Sequence, residues 1–107
     1  MTSPLRSIQG SVAIVTGAAS GMGRATARLL AEEGAHVAVT DVNAAGAEAV
    51  AMEIIAAGGS ARSWALDVGD KAAIGTVVAD ICGWHDRLDI LVNNAGISNW
   101  AAIDSEE

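Results

Sequence analysis

The 107-residue chain contains no tyrosine and no phenylalanine, and it has one cysteine (Cys82), one proline (Pro4) and one lysine (Lys71). Each shortage excludes something. A single cysteine cannot form an intrachain disulfide, which matches a reducing compartment. Six Lys+Arg stand against 13 Asp+Glu, a formal net charge of −7. The basic residues are also scattered, so neither a nucleic-acid nor an anionic-membrane surface is built here. No apolar run reaches membrane-spanning length, and no signal-peptide core follows Arg6, so neither span nor leader is expected and a cytoplasmic location is. Gly-Lys-Ser/Thr occurs nowhere, which excludes a P-loop. Without tyrosine, no phenol can act as general acid or base within these residues.

What is present is a domain-sized, apolar-rich chain. Hydrophobic residues make up 51% and charged ones 18%, too apolar for a disordered tail and enough for one core. Residues 1–10, with Pro4 and Gly10, read as a flexible lead-in. Beyond them short apolar runs alternate with helical patterns. The runs, 11–16, 36–41, 62–67 and 88–93, read as buried strands. A first helix is expected from Gly21 to a Gly34 cap, with Arg24, Arg28 and Glu32 on its wet face and Met22, Leu29 and Leu30 turned away from it. A second opens at the N-cap Asn43, carries the stripe Ala47, Val50, Ile54, and stops at Gly58-Gly59. A third opens at Asp70, carries Ile74, Val77, Val78 and Ile81, and ends around Gly83.

The order β-α-β-α-β-α-β demands parallel strands joined by right-handed crossovers. That is an α/β fold, a doubly wound parallel sheet of Rossmann type. Only its first half is expected here, with residues 11–107 as the N-terminal half of a dinucleotide-binding domain.

Two features carry chemistry. The first is Thr16-Gly17-Ala18-Ala19-Ser20-Gly21-Met22-Gly23, between the first strand and the first helix. Gly17 lets the chain turn out of the strand, Gly21 leaves room for a pyrophosphate, and Gly23 allows close helix–sheet packing. The helix N-terminus then offers free N–H groups to phosphates. A ligand-free glycine turn is the bland alternative, but the strand–turn–helix context favours phosphate binding. The second is Asp41, at the end of strand two and 20 residues after Gly21. A carboxylate there accepts from the ribose hydroxyls of NAD and repels the 2′-phosphate of NADP. Ser20 and Val42, not a cation, occupy the nearest positions that could reverse the choice. Taken alone, Asp41 could equally cap the next helix; the glycine turn tips the reading to NAD.

With Asp67-Val68 and Asn93-Asn94-Ala95-Gly96 following in order, the chain resembles the short-chain dehydrogenase/reductase family over residues 11 to about 100. The stretch Leu88-Asp89-Ile90-Leu91-Val92-Asn93-Asn94-Ala95-Gly96 is especially similar. The resemblance implies that Asp67 and Val68 hold the adenine. It further implies that Asn93, Ala95 and Gly96 line the adenine-ribose pocket while their segment steadies the sheet. From the residues alone, the asparagines could simply form a turn. The resemblance also implies hydride transfer between NAD(H) and an alcohol or ketone, in a homo-oligomer when complete. The family's Tyr-x-x-x-Lys pair is absent; Lys71 lies on the third helix, and Ser98, Asn99 and Ser105 come too early for the family's serine and asparagine. The 107-residue chain alone is therefore expected to be inactive, with no catalytic residue of its own.

A naturally short NAD- or AMP-binding module is the rival reading. The long apolar edge of strand four argues against it. A methyltransferase-type domain is disfavoured because Thr16-Gly17 replaces the acidic residue those domains place there. His36 reads as a strand-start residue and His85 as loop, with no metal-ligand spacing between them. Cys82 reads as a buried small hydrophobe and Trp64 and Trp84 as core-packing, while the family resemblance implies that Trp100 lies in the loop that borders the substrate pocket.

Overall fold

The computed structural model describes residues 8–94. Its elements are β1 (Val12–Thr16), α1 (Gly21–Glu32), β2 (His36–Asp41), α2 (Ala44–Ala56), β3 (Ser60–Ala65), α3 (Lys71–His85) and β4 (Ile90–Asn93). All strand pairs are parallel and the sheet order is β3-β2-β1-β4. This is the first half of a doubly wound sheet, with the order reversing between β1 and β4.

The pleat sorts the two central strands between two cores. Val15, Val37 and Val39 face α1 and α2, and pack with Ala27, Ala31, Ala47, Val50, Ala51 and Ile54. Val12, Ile14 and Ala38 point to the opposite face and meet Ile81 of α3. Helices therefore cover both faces, as right-handed crossovers require. Each fully buried valine contributes about 1.5–3 kcal/mol through area removed from water.

Helix ends follow their caps. Asn43 and Asp70 accept side-chain hydrogen bonds from the Gly46 and Ala73 amides. At the end of α1, Gly34 N–H reaches Ala31 O and Ala35 N–H reaches Leu30 O; at the end of α2, Gly58 and Gly59 do the same to Ile55 O and Ile54 O. Both pairs are Schellman closures.

Several expectations need correction. The buried face of α1 is Gly23, Ala27 and Ala31, whereas Met22 is 77% and Leu29 50% exposed. Small residues at i, i+4, i+8 let the helix axis approach the sheet, so the larger side chains are pushed to the flanks. Strand β3 begins at Ser60 and ends at Ala65, two residues earlier than the apolar run implied, because the Schellman turn delivers the chain straight into pairing with His36. Among the described residues only β1 and β2 are buried; β3 is a half-exposed edge rather than a buried strand, and β4 is the other edge, as expected. Helix α3 runs past Gly83 to His85 and is closed by Asp86 at φ 58°. Its stripe is buried fully only at Ile81. Residues 8–10, the end of the expected lead-in, form a turn in which Ile8 packs on the α1–α2 core and Gly10 N–H donates to Gly34 O.

No helix among the described residues is long and apolar enough to cross a membrane.

Candidate dinucleotide site at the sheet switch point

The C-terminal ends of β1, β2 and β4 meet the loops that carry the candidate residues. Ligands of doubly wound sheets bind outside the strand ends where the strand order reverses, here between β1 and β4. The glycine turn leaves β1 directly into this region. Gly17 and Gly21 sit at φ 62° and 61°, a left-handed conformation that is costly for residues with a Cβ. Gly23 is buried in a different sense. A Cβ on it would overlap the Gly17 carbonyl oxygen and stand 2.8 Å from Asn94 Nδ2. The glycine assigned to close packing is therefore in contact with the one that starts the turn.

Thr16 ties β1 to β4. Its hydroxyl donates to Asn93 Oδ1 at 2.8 Å and accepts from the Asn94 amide at 3.0 Å. Asn94 Nδ2 donates to Gly17 O at 3.3 Å. The two asparagines thus brace the switch point from the β4 side, which is more than a simple turn would do.

On the β2 side the turn is held by two successive amides. Ala18 N–H donates to Thr40 O at 3.0 Å, and Ala19 N–H donates to Asp41 Oδ2 at 3.0 Å. The buried Thr40 hydroxyl in turn donates to Val15 O at 2.9 Å. Asp41 Oδ1 accepts from the Asn43 amide at 2.9 Å, and Asp41 O accepts from Leu66 N–H at 2.9 Å. The cap on α2 is Asn43 itself, so the helix-capping alternative for Asp41 is realised only indirectly, through the turn that presents Asn43.

Ser20 is the extended N-cap of α1, with no side-chain cap hydrogen bond, and no acidic residue lies in the first turn. Ser20, Gly21 and Met22 are exposed. This end of the helix keeps the positive pole and the N–H groups that suit a phosphate. Asp67 and Val68 fall in the loop after β3, where Asp67 Oδ1 accepts from Gly69 N–H at 2.8 Å and holds the loop in an Asx turn. Leu66, just before them, is the residue bonded to Asp41 O. Ala95 and Gly96 lie outside the described residues, as do Ser98, Asn99, Trp100 and Ser105.

The residue profile described as short chain dehydrogenase matches residues 11–107. The chain belongs to the short-chain dehydrogenase family. It is 44% identical over 94 residues to a D-threitol dehydrogenase of Mycolicibacterium smegmatis, covering 88% of this chain and 36% of that protein. It is also 44% identical over 92 residues to a 2,3-dihydro-2,3-dihydroxybenzoate dehydrogenase of Bacillus subtilis, covering 86% of this chain and 35% of the relative. A solved hydroxysteroid dehydrogenase from Escherichia coli superposes with a TM-score of 0.84 at 36% identity, covering 89% of this chain and 40% of that one. The chain thus spans well under half the length of these relatives. This short-chain dehydrogenase chain is of an oxidoreductase family that uses a nicotinamide dinucleotide, NAD or NADP.

The opposite end of the sheet holds residues that sequence reading had kept apart. His36 and His85 stack with ring centroids 3.8 Å apart, Trp84 stands edge-on 6.0 Å from His36, and His36 Nδ1 meets Ser60 Oγ at 2.8 Å. His85 is therefore the last residue of α3 and a packing partner, not loop. Burial, then the nearby His85 and Arg87, push the His36 pKa down. Among the described residues no group of three or more His, Cys, Asp or Glu is placed to hold a metal. Trp64 and Trp84 both pack on the α3-side core, as expected, while Cys82 is half-buried and free.

Proposed function

We propose that this chain is the NAD-binding part of a cytoplasmic short-chain dehydrogenase that moves a hydride between the nicotinamide and an alcohol or ketone. In this reading Gly17, Ser20, Gly21, Met22 and Gly23 shape and supply the phosphate cradle. Asp41 accepts from the adenosine ribose, and Asp67, Val68, Asn93, Ala95 and Gly96 border the adenosine half. The observation that carries it is the Asp41 carboxylate beside the glycine turn. An ionised carboxylate offers about four lone-pair positions, and its two backbone bonds leave the rest for ribose hydroxyls. The same charge disfavours a 2′-phosphate, which selects NAD over NADP.

The nicotinamide, when bound, supplies the hydride acceptor. The residues of this chain anchor and orient the cofactor. Proton transfer at the substrate belongs to residues outside the 107, since a phenol–ammonium pair needs a tyrosine that the chain lacks. The complete enzyme is proposed to be a homo-oligomer acting on a small alcohol or ketone.

Isothermal titration with NAD and NADP, paired with an initial-rate assay on secondary alcohols, tests this. Saturable binding of NAD at least tenfold tighter than NADP, with no turnover, is the expected result. Preference for NADP would reverse the role given to Asp41. Turnover that copurifies with the chain would refute the division of labour.

A further inference from the structure

Asp41 stands at a junction of three loops. Its carboxylate takes the Ala19 amide of the glycine turn at 3.0 Å and the Asn43 amide at the start of α2 at 2.9 Å. Its carbonyl takes the Leu66 amide ahead of Asp67 and Val68 at 2.9 Å. The two side-chain bonds are charge-assisted, the stronger class of hydrogen bond. They divide the glycine turn in two. Ala18 and Ala19 are committed to β2, through Thr40 O and Asp41 Oδ2, whereas Ser20 to Met22 remain exposed. Gly21, at φ 61°, is exposed, and a Cβ built on it would meet nothing within 4 Å. The latch at Ala19 is the last tether before that open half.

We infer that Asp41 is a positioning residue for the phosphate cradle as well as a ribose acceptor, so that the ribose end and the phosphate end of the site share one carboxylate. The coupling rests on the cofactor reading above; the latch itself does not. One consequence concerns cofactor preference. Replacing Asp41 to admit a 2′-phosphate also unlatches the glycine turn, so a single substitution weakens NAD binding without producing a good NADP site.

Two measurements on the 107-residue chain and its Asp41→Ala variant test this. The first is residue-resolved amide exchange without cofactor. Ala19 exchange should rise about tenfold or more in the variant. Ala18, held by a backbone carbonyl, and Val39 in the core should be unchanged, which separates a local latch from general loosening. The second is affinity for 2′,3′-dideoxyadenosine diphosphate, a probe with no ribose hydroxyls for Asp41 to accept from. Removing a carboxylate near a diphosphate would by electrostatics alone tighten binding. A loss of threefold or more therefore reports the displaced turn.

Unchanged Ala19 exchange, or unchanged or tighter probe binding, overturns the inference. If the alanine variant fails to fold, Asp41→Asn replaces it. Its single carbonyl oxygen keeps the local turn to Asn43, and Ala19 should lose protection while Asn43 keeps it. Loss at neither amide counts against the latch. Failure of the unsubstituted chain to bind NAD sinks the cofactor reading and the coupling with it. NAD binding with Ala19 exchange unaltered by the substitution sinks the latch alone.

Discussion

Gly23 illustrates what a single atom does in this site. Its missing Cβ is the space occupied by the Gly17 carbonyl oxygen and the Asn94 amide. Gly23→Ala must therefore push the turn or β4 aside, an overpacking change that costs about 1–3 kcal/mol. We expect a lower urea midpoint and loss of NAD binding together. A Gly23→Ala chain with an unshifted midpoint would contradict the contact. The three glycines were readable as a motif, yet the sequence did not show that the first and last touch. It also did not show that Asp41 reaches Ala19. The first contact faces across a short turn and the second joins the glycine turn to the end of β2, 22 residues on, and spacing alone specifies neither.

At the scale of elements, amphipathic reading succeeded where side chains are large and regularly spaced. Ala47, Val50 and Ile54 of α2 are buried as their stripe required. It failed on α1, where Gly23, Ala27 and Ala31 form the contact and Leu29 is outside. Close helix–sheet approach rewards small residues, and a hydrophobicity pattern weights large ones. At its far end α3, expected to finish around Gly83, continues to His85, and Asp86 supplies the left-handed closure. That extension carries His85 onto His36 of β2. The pair gives α3 a pH-dependent hold. His36, its pKa lowered by burial and then by His85 and Arg87, stays neutral in the fold at pH values where the unfolded chain has taken a proton. Its contribution is therefore present above about pH 6.5 and is lost as pH falls from there through the lower folded pKa. Urea midpoints should drop between pH 7.5 and 5.5, and His36→Gln should flatten that drop. Equal slopes for both chains would assign the acid sensitivity elsewhere. The carboxyls of Asp89 and Glu53 are held below their usual range by hydrogen bonds from Arg87 and Arg24, and Asp89 also by the Val12 amide. Their contributions fade only as pH falls through that lower range, outside the window tested.

For the whole molecule the decisive fact is the position of β4. It pairs with β1 on one side, and Leu91 in it is 58% exposed. An apolar parallel strand at an edge is a template for association. The 107-residue chain is expected to self-associate in sedimentation or light scattering, and Leu91→Lys should shift it toward monomer. A monomer at all concentrations before substitution would favour a naturally independent binding module. Edge β3 carries a different surface, with Arg62 over the Trp64 ring and Trp64 Nε1 donating to Asp80 Oδ2. Its polar dressing makes it the less adhesive edge.

The sequence by itself determined the alternation of strands and helices, the parallel sheet, the place of the glycine turn, and the acidic end of β2. These follow from local signals: short apolar runs, helical spacing, capping residues and glycines that the backbone needs. Tertiary structure alone decided which side chains of α1 are inside, that β3 is the other edge of the sheet, that His85 stacks on His36, and that Asp41 ties three loops together. Each of those depends on what lies opposite in space, and no periodicity along the chain encodes a partner 22 or 49 residues away.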